Sequence, residues 1–358
     1  MKKNITSRFL ATCFVASFAT AQGDSKSGAP QMPDPKHPEH AALLPLCGDW
    51  EFTMKMAAMP GVPGMETATE AAGTEHTEMI CNGLWLASTI RSTWQGQPFE
   101  GKWLAGYDPF NKHYTSFWIS SDENETGIAR MNGTYDDKTK TWTWQGKSPA
   151  GEMRSVFVFH GDRSVETSFV KGADGKETQV MEFVRKRAKA PAAVANDASA
   201  KPTRKLAKEH QALQQDVGTW DAVVKSAMPG APATEERGNE TVLSACNGRW
   251  TWSNFGGRLM GAPCEGHAIC GYDQKAQKYV CLWIDSMSPT AAETSGTFDE
   301  AKGVLTLAGD CLCPLGKPMS MKQTLLRKGA DTRVAQMAFT QEGQTSTMEI
   351  TYQRRAGK

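Results

Sequence analysis

The chain has 358 residues, enough for about two domains of roughly 150 residues each. Apolar residues make up 39% of it, charged residues make up 22%, and the formal net charge is +1. This composition excludes a wholly disordered chain, a collagen-like chain and an integral membrane bundle. The near-zero charge gives no support to global attraction to nucleic acid or anionic lipid. Eleven tryptophans, 33 glycines and 18 prolines favour β structure with many turns.

The first residues have the pattern of a secretory signal peptide. Three basic residues precede an apolar run over 9–21, which ends in an Ala-x-Ala cleavage site. The run is shorter than the roughly 20 residues that a membrane-spanning helix needs. We therefore predict cleavage after residue 21 and export to the periplasm or medium of a bacterium. Residues 22–37 are predicted to be a disordered N-terminal segment.

The remainder of the chain is a tandem repeat. Its motifs recur in the same order at an offset between 163 and 170 residues, which chance does not produce. We predict one copy over 38–187, an Ala/Pro/Lys linker over 188–203 and a second copy over 204–356. The paired motifs are E-H-x-x-L (Glu39, Glu209), G-x-W (Gly48, Gly218), C-N-G (Cys81, Cys246), P-x-E-G (Pro98, Pro263), G-Y-D (Gly106, Gly271), W-I (Trp118, Trp283) and G-T-[YF]-D (Gly133, Gly296).

Local patterns within each copy predict a short α-helix followed by many short strands. Residues 141–144 alternate polar and apolar side chains, as a half-buried strand does, and 156–159 form a short apolar run. Residues 204–217 have apolar side chains near one helical face and end before a glycine. The matching segment 38–46 is shorter and contains Pro45, which weakens a helix. The predicted class is mainly β.

The motif order resembles the bacterial domain-of-unknown-function 1579 family and, in its helix-then-G-x-W start, lipocalin-like (calycin) barrels. This resemblance covers nearly all of the chain beyond the predicted leader. It implies two tandem lipocalin-like antiparallel β-barrels, and no established activity. It also implies that an arginine late in the last strand packs on the G-x-W tryptophan and closes that end of the barrel. The expected pairs are Trp50 with Arg185 or Arg187 and Trp220 with Arg354 or Arg355, and we assign the closing role to Arg187 and Arg355.

The cysteines predict at least one disulfide. Export would permit disulfides, and eight of the nine cysteines remain after the predicted leader. Cys270 and Cys281 flank the second G-Y-D turn, and both positions lack cysteine in the first copy. Their joint presence and joint absence favour a bond between them. Cys81 and Cys246 are equivalent, so they either link the two domains or remain buried thiols.

The predicted function is binding of a small apolar or aromatic molecule inside a barrel. Recurring aromatic residues are the candidate ligand contacts, although they could equally pack the barrel core. The candidates are Tyr107, Trp118, Tyr272 and Trp283. We predict no catalytic residue, metal, cofactor, nucleic acid or membrane span, and the two barrels could pack on each other.

Two alternative functions remain open. The first is a small hydrolase or isomerase that uses the repeated carboxylates, although no G-x-S-x-G motif is present and the shared histidines, His40 and His210, lie in the opening helices. The second is an envelope structural or interaction protein whose barrels are filled. The carboxylates are Glu100, Asp108 and Asp136, with Glu265, Asp273 and Asp299 at the equivalent positions. At one further position the copies differ, because Ser120 stands where the second copy has Asp285.

Overall fold

The computed structural model contains two closed antiparallel barrels of ten strands each, so the predicted tandem barrels are confirmed. It describes residues 34–59, 61–62, 65–94, 96–122, 127–148, 150–172, 174–189 and 206–356. The predicted signal peptide, 1–21, and most of the predicted linker lie outside the described residues. Within the described ranges, no helix is both long enough and apolar enough to cross a membrane.

The first barrel runs up and down in chain order, and its first and last strands pair to close it. Its strands are β1 Gly48–Met56, β2 Thr69–Ile80, β3 Trp85–Trp94, β4 Gln97–Asp108, β5 His113–Ser120, β6 Ala129–Asp136, β7 Thr141–Ser148, β8 Gly151–Phe159, β9 Arg163–Lys171 and β10 Glu177–Arg187.

The second barrel repeats this order and closes in the same way. Its strands are β11 Gly218–Ala227, β12 Thr234–Ala245, β13 Trp250–Leu259, β14 Ala262–Asp273, β15 Lys278–Asp285, β16 Ser288–Asp299, β17 Val304–Leu312, β18 Pro318–Arg327, β19 Thr332–Gln341 and β20 Gln344–Arg354.

The helical segments before the two barrels differ from each other. Before the second barrel, α1 spans Lys208–Gln214 and is shorter than the predicted helix. Before the first barrel, the predicted α-helix is instead a 3-10 helix, Pro38–Leu46, in which Pro45 lacks the N–H that an α-helical bond would need. His37, placed in the predicted disordered segment, caps this helix, because its side chain accepts a hydrogen bond from Glu39 N.

Each barrel has one end covered by its helical segment, which we call the capped end; the opposite end is the far end. Side chains on a strand alternate between the two faces of the sheet, so the register fixes which ones point inward. On β1 the inward residues from capped end to far end are Trp50, Phe52 and Met54. Beneath the 3-10 helix, Leu43 and Leu46 pack with the aromatic residues of the capped end.

A tight turn with the sequence C-N-G connects the second and third strands of each barrel, at Cys81–Gly83 and Cys246–Gly248. Asn82 has φ 55° and Asn247 has φ 56°, values that asparagine tolerates better than most residues. The two C-N-G turns are equivalent in the repeat, and each lies against the other barrel.

Candidate functional site

The structure places two of the four predicted ligand contacts at the capped ends. Tyr107 packs edge-on against Tyr114, with ring centroids 5.1 Å apart, and against His40 at 6.0 Å. Tyr272 meets His210 in the same way at 6.1 Å. The Tyr114 hydroxyl donates to the carbonyl of Glu39 in the helical segment at 2.9 Å. At the capped ends these tyrosines join the helical segments to the barrels.

Trp118 and Trp283 point into the far halves of their barrels. Trp118 lies four residues along β5 from Tyr114, which is about 13 Å of strand. Its ring stacks on Phe99 at a centroid distance of 6.5 Å and lies over Gly101, where a Cβ would collide with the indole. The structure therefore does not bring Tyr107 and Trp118 into one site, and Trp118 remains as the candidate contact in the first barrel.

The far half of the first barrel is lined by inward-facing side chains that are only partly buried. A filled barrel core would bury such large apolar groups, as it does Trp142 and Trp144 nearer the capped end. Partial exposure of inward-facing groups places accessible space beside them. These side chains are Met54, Trp103, Trp118, Met131, Met153 and Met181. Methionines and tryptophans in one patch suit a planar or irregular apolar molecule.

The far half of the second barrel is more tightly packed. Val224, which takes the place of Met54, is 0% exposed. Leu259 and Cys264, at the positions of Trp94 and Phe99, are 8% and 4% exposed, whereas both first-copy residues are partly exposed. Trp283 and Met348 also face inward and remain partly exposed, so the second barrel is more tightly packed at Val224, Leu259 and Cys264 but is not filled throughout.

A buried charged cluster forms the floor of this space in the first barrel. The Arg185 guanidinium donates to Glu75 at 2.6 Å and to Glu166 at 3.2 Å, and it lies over the Phe183 ring at 4.1 Å. The side chains of Arg185 and Glu75 are 9% and 4% exposed, but that of Glu166 is 20% exposed. Two carboxylates against one guanidinium leave the cluster with a formal charge of −1, which disfavours an anionic group beside it.

The second barrel keeps the buried ion pair but takes its arginine from another strand. Glu240 occupies the position of Glu75, and Tyr352 occupies that of Arg185. The arginine is Arg333 of β19, which is hydrogen-bonded to Glu240. Ser253 also donates to this carboxylate. Burial raises the pKa of the Glu240 carboxyl, against the opposing effect of Arg333.

The closing arginines are Arg187 in the first barrel and Arg354 in the second. Arg187 lies 3.8 Å from the Trp50 ring and donates to the carbonyl of Pro45. Arg354 lies 4.0 Å from the ring of Trp220. The assignment of this role to Arg355 was wrong by one residue: because side chains alternate along β20, the adjacent Arg355 points outward and pairs with Asp221.

Cys270 and Cys281 are bonded to each other across β14 and β15, which confirms the predicted disulfide. The bond lies on the inward face, next to Tyr279 in the core of the second barrel. Cys81 and Cys246 lie buried in the C-N-G turns and are not part of the disulfide. Of the two alternatives for these equivalent cysteines, the structure has the buried thiols.

The repeated carboxylates hold turns or bridge the two copies. Asp108 accepts from the backbone of Phe110 at 2.9 Å and of Asn111 at 3.0 Å, as an aspartate that caps a turn does. Turn positions also explain the other aspartates, namely Asp136, Asp273 and Asp299. Glu100 and Glu265 instead reach the C-N-G turn of the opposite copy. Among the described residues, no three His, Cys, Asp or Glu side chains lie in a group that could hold a metal ion.

A cleft of about 250 Å³ lies between the copies. Arg130 and Glu293 form an ion pair in its wall, with Nη1 and Oε1 3.0 Å apart. Trp85 and Thr115 also line it, and their Nε1 and Oγ1 atoms have no hydrogen-bond partner among the residues that the structure describes. The equivalent Nε1 of Trp250 donates to the carbonyl of Ser120 across the interface at 3.1 Å.

Solved structures with similar folds have low identity to this chain. The S-type phycobiliprotein lyase CPES from Guillardia theta is 11% identical, with a TM-score of 0.32. The match spans 43% of this chain and 96% of the lyase. Rv2717c from M. tuberculosis is 12% identical, with a TM-score of 0.35, and 42% of this chain covers all of it. A protein of the DUF3598 family from Nostoc punctiforme is 10% identical, with a TM-score of 0.27, and 89% of this chain covers all of it. With TM-scores below 0.5, these likenesses say nothing about activity.

Sequence comparison identifies the family. No curated protein matches the chain significantly. The family described as "Protein of unknown function (DUF1579)" matches twice, over residues 35–187 and 205–354. These two ranges coincide with the two barrels and leave out the predicted linker. The chain therefore belongs to the DUF1579 family, as two tandem copies of its domain.

Proposed function

We propose that the first barrel binds a small apolar or aromatic molecule in its far half, and that the protein does so after export. The observation that supports this most strongly is the set of partly exposed, inward-facing methionine and tryptophan side chains around Trp118. Burying such groups against a ligand is favourable by about 25 cal/mol per Å² of apolar surface. We place the site in the first copy because Val224, Leu259 and Cys264 close the corresponding positions of the second barrel.

The charged floor restricts the kind of ligand. Glu75, Arg185 and Glu166 together carry one excess negative charge, and Glu166 is the member that is most exposed. An anionic group at this depth would meet the Glu166 carboxylate, which already shares its guanidinium with Glu75. A neutral molecule, or one whose hydrogen-bond donor points to Glu166, fits better.

Two fluorescent probes with the same ring system test this proposal. N-phenyl-1-naphthylamine is neutral, and 1-anilinonaphthalene-8-sulfonate adds a sulfonate to the same skeleton. We expect the neutral probe to quench tryptophan emission by energy transfer and to bind more tightly than the anionic one. No response to either probe would contradict an open first barrel, and tighter binding of the sulfonate would contradict the role of the charged floor.

The tandem repeat supplies a matched control for this titration. Trp118→Leu removes the indole from the proposed site, and Trp283→Leu removes its equivalent in the second barrel. We expect the first substitution to weaken the neutral probe by about tenfold, since it deletes a large aromatic contact, and the second to leave the affinity unchanged. Equal effects of the two substitutions would place the probe elsewhere.

The observations favour the two alternative functions less. A carboxylate-based hydrolase or isomerase would need two of the repeated carboxylates in one pocket, whereas these residues cap turns or bridge the copies. A structural or interaction protein with filled barrels does not fit the partly exposed lining of the first copy. Export rests on the leader pattern of residues 1–21, and N-terminal sequencing of the protein from its native host would test it.

A further inference from the structure

The contacts between the two barrels are reciprocal. Glu100 of the first copy accepts a hydrogen bond from the backbone N–H of Cys246, in the second C-N-G turn, at 3.0 Å. Its equivalent Glu265 accepts from the backbone N–H of Asn82, in the first C-N-G turn, at 3.3 Å. The same glutamate of each copy thus reaches the same turn of the other copy, which is the pattern that a two-fold rotation between two bodies produces.

The apolar part of the interface has the same symmetry. One continuous buried cluster contains residues of both copies. Most of its members form equivalent pairs: Ile80 with Ala245, Cys81 with Cys246, Trp85 with Trp250, Leu104 with Ile269, Phe117 with Leu282 and Ile119 with Ile284. Each copy therefore presents the same face to the other, as the subunits of a homodimer do.

At the axis of such an interface, a residue meets its own equivalent. Arg130 stands opposite Phe117 on β5, and Glu293 stands opposite Leu282, the equivalent of Phe117, on β15. Arg130 and Glu293 are therefore equivalent positions, and their side chains pair at 3.0 Å. Two first copies would bring two arginines together at this point, and two second copies would bring two glutamates together.

We propose that the face formed by the two C-N-G turns, their glutamate partners and the Arg130–Glu293 pair is a self-sufficient association surface whose partner is the opposite copy. The reciprocal glutamates and the shared apolar cluster hold the copies together without help from the linker. The axis pair attracts the opposite copy and repels a like copy, which is the charge arrangement that makes an interface selective.

The test uses the full chain with a protease recognition site inserted between residues 190 and 205. After cleavage, we expect the two halves to elute together at micromolar concentration, and their separation would overturn the proposal. The dissociation constant of the cleaved halves then measures how much the Arg130–Glu293 pair at the axis contributes to their association. Arg130→Glu places two glutamates at the axis, and Glu293→Arg places two arginines there.

We expect each single charge reversal to weaken the association of the cleaved halves by about three- to tenfold, because it removes an exposed ion pair worth up to about a factor of five and adds a like-charge repulsion. Combining both reversals restores the attraction and should return the constant to within about twofold of the parent. The differences should shrink in 1 M salt, since both side chains are partly exposed. Single reversals without effect, or a double reversal no better than the singles, would overturn selection by charge.

Arg154→Glu is the matched control, because its partner Glu177 belongs to the same copy. This reversal should leave the association of the halves unchanged. Circular dichroism of each uncleaved variant checks that the barrels remain folded. A change of association with Arg154→Glu equal to that with Arg130→Glu would mean that net charge, and not the axis pair, governs the interface.

Discussion

The buried ion pair of the first barrel uses an arginine on β10, whereas that of the second barrel uses an arginine on β19. Arg185→Tyr introduces the residue that the second copy has at this position, Tyr352. It leaves Glu75, whose side chain is 4% exposed, without its guanidinium partner. Breaking a buried pair by removing one member costs about 3–5 kcal/mol. We expect a loss of that size in the free energy of unfolding of the first barrel.

A second substitution should recover much of this loss. Ser164 pairs with Arg185 in the register, as Arg333 pairs with Tyr352, so Ser164→Arg places a guanidinium where the second barrel has one. Ser164 is 0% exposed, and its hydroxyl has no hydrogen-bond partner within the described residues, so no existing bond is lost. We expect the double variant Arg185→Tyr/Ser164→Arg to regain at least half of the lost stability.

Urea unfolding followed by tryptophan fluorescence measures these changes, since seven of the eleven tryptophans belong to the first copy. Glu70→Ala is the control, because its ion pair with Lys55 is exposed and should contribute little. A loss below about 1 kcal/mol for Arg185→Tyr would refute the assignment of a buried ion pair. A double variant no more stable than the single one would refute the equivalence of the two strands.

Three further predictions concern the second barrel and the cysteines. Arg354→Ala should destabilise the second barrel by about 2–3 kcal/mol in urea unfolding, because it removes the contact with Trp220 and the charged hydrogen bonds of the guanidinium. Arg355→Ala should change the stability little, and equal effects of the two substitutions would contradict the closing role of Arg354. Burial, reinforced by the charge of Arg249, lowers the pKa of His210 below 6.5. The unfolded chain therefore binds more protons, and the stability falls as the pH drops below about 6.5. His210→Gln should flatten this pH dependence of stability between pH 7.5 and 5.5, and an unchanged slope would count against a buried neutral imidazole. Thiol counting in denaturant should find six free thiols in the chain without its predicted leader and eight after reduction, and eight before reduction would exclude the disulfide.

The repeat and the class of fold could be predicted because they are encoded in local patterns. G-x-W, the turn dipeptides and the alternation of short strands recur within each copy, and a repeat offset is visible without any structure. Cys270 and Cys281 could be paired because both are missing from the other copy. These features depend on residues that are close in sequence or equivalent in the repeat.

Other features depended on contacts that cross between strands or copies. Arg354 and Arg355 are adjacent, and only the register decides which one points inward. The arginine of the buried pair moves from β10 to β19 between the copies, so aligning the repeats hides the equivalence of Arg185 and Arg333. Glu100 and Glu265 stand out in the sequence only as repeated carboxylates, whereas their hydrogen-bond partners lie in the other copy.

The state of the barrel interiors was the least predictable feature. Tyr107 and Trp118 belong to the same hairpin and have similar chemistry, yet one packs at the capped end and the other lines the far half. The sequences of the two copies do differ in the far half, because the smaller Val224 stands at the position of Met54. The smaller residue belongs to the barrel that is more tightly packed at this position, so the substitution alone does not predict which interior is more open. How far neighbouring side chains close a space depends on all the strands around it.

Methyl NMR of methionine side chains tests most directly whether the first barrel takes up an apolar molecule. Met54, Met131, Met153 and Met181 line the proposed space, whereas Met337 and Met348 pack in the second barrel. Single substitutions assign the signals, and N-phenyl-1-naphthylamine is then titrated into the labelled protein. We expect saturable shifts of the four first-barrel methyl signals and unchanged signals from Met337 and Met348. Shifts confined to the second barrel, or no shift of any of the four, would contradict it.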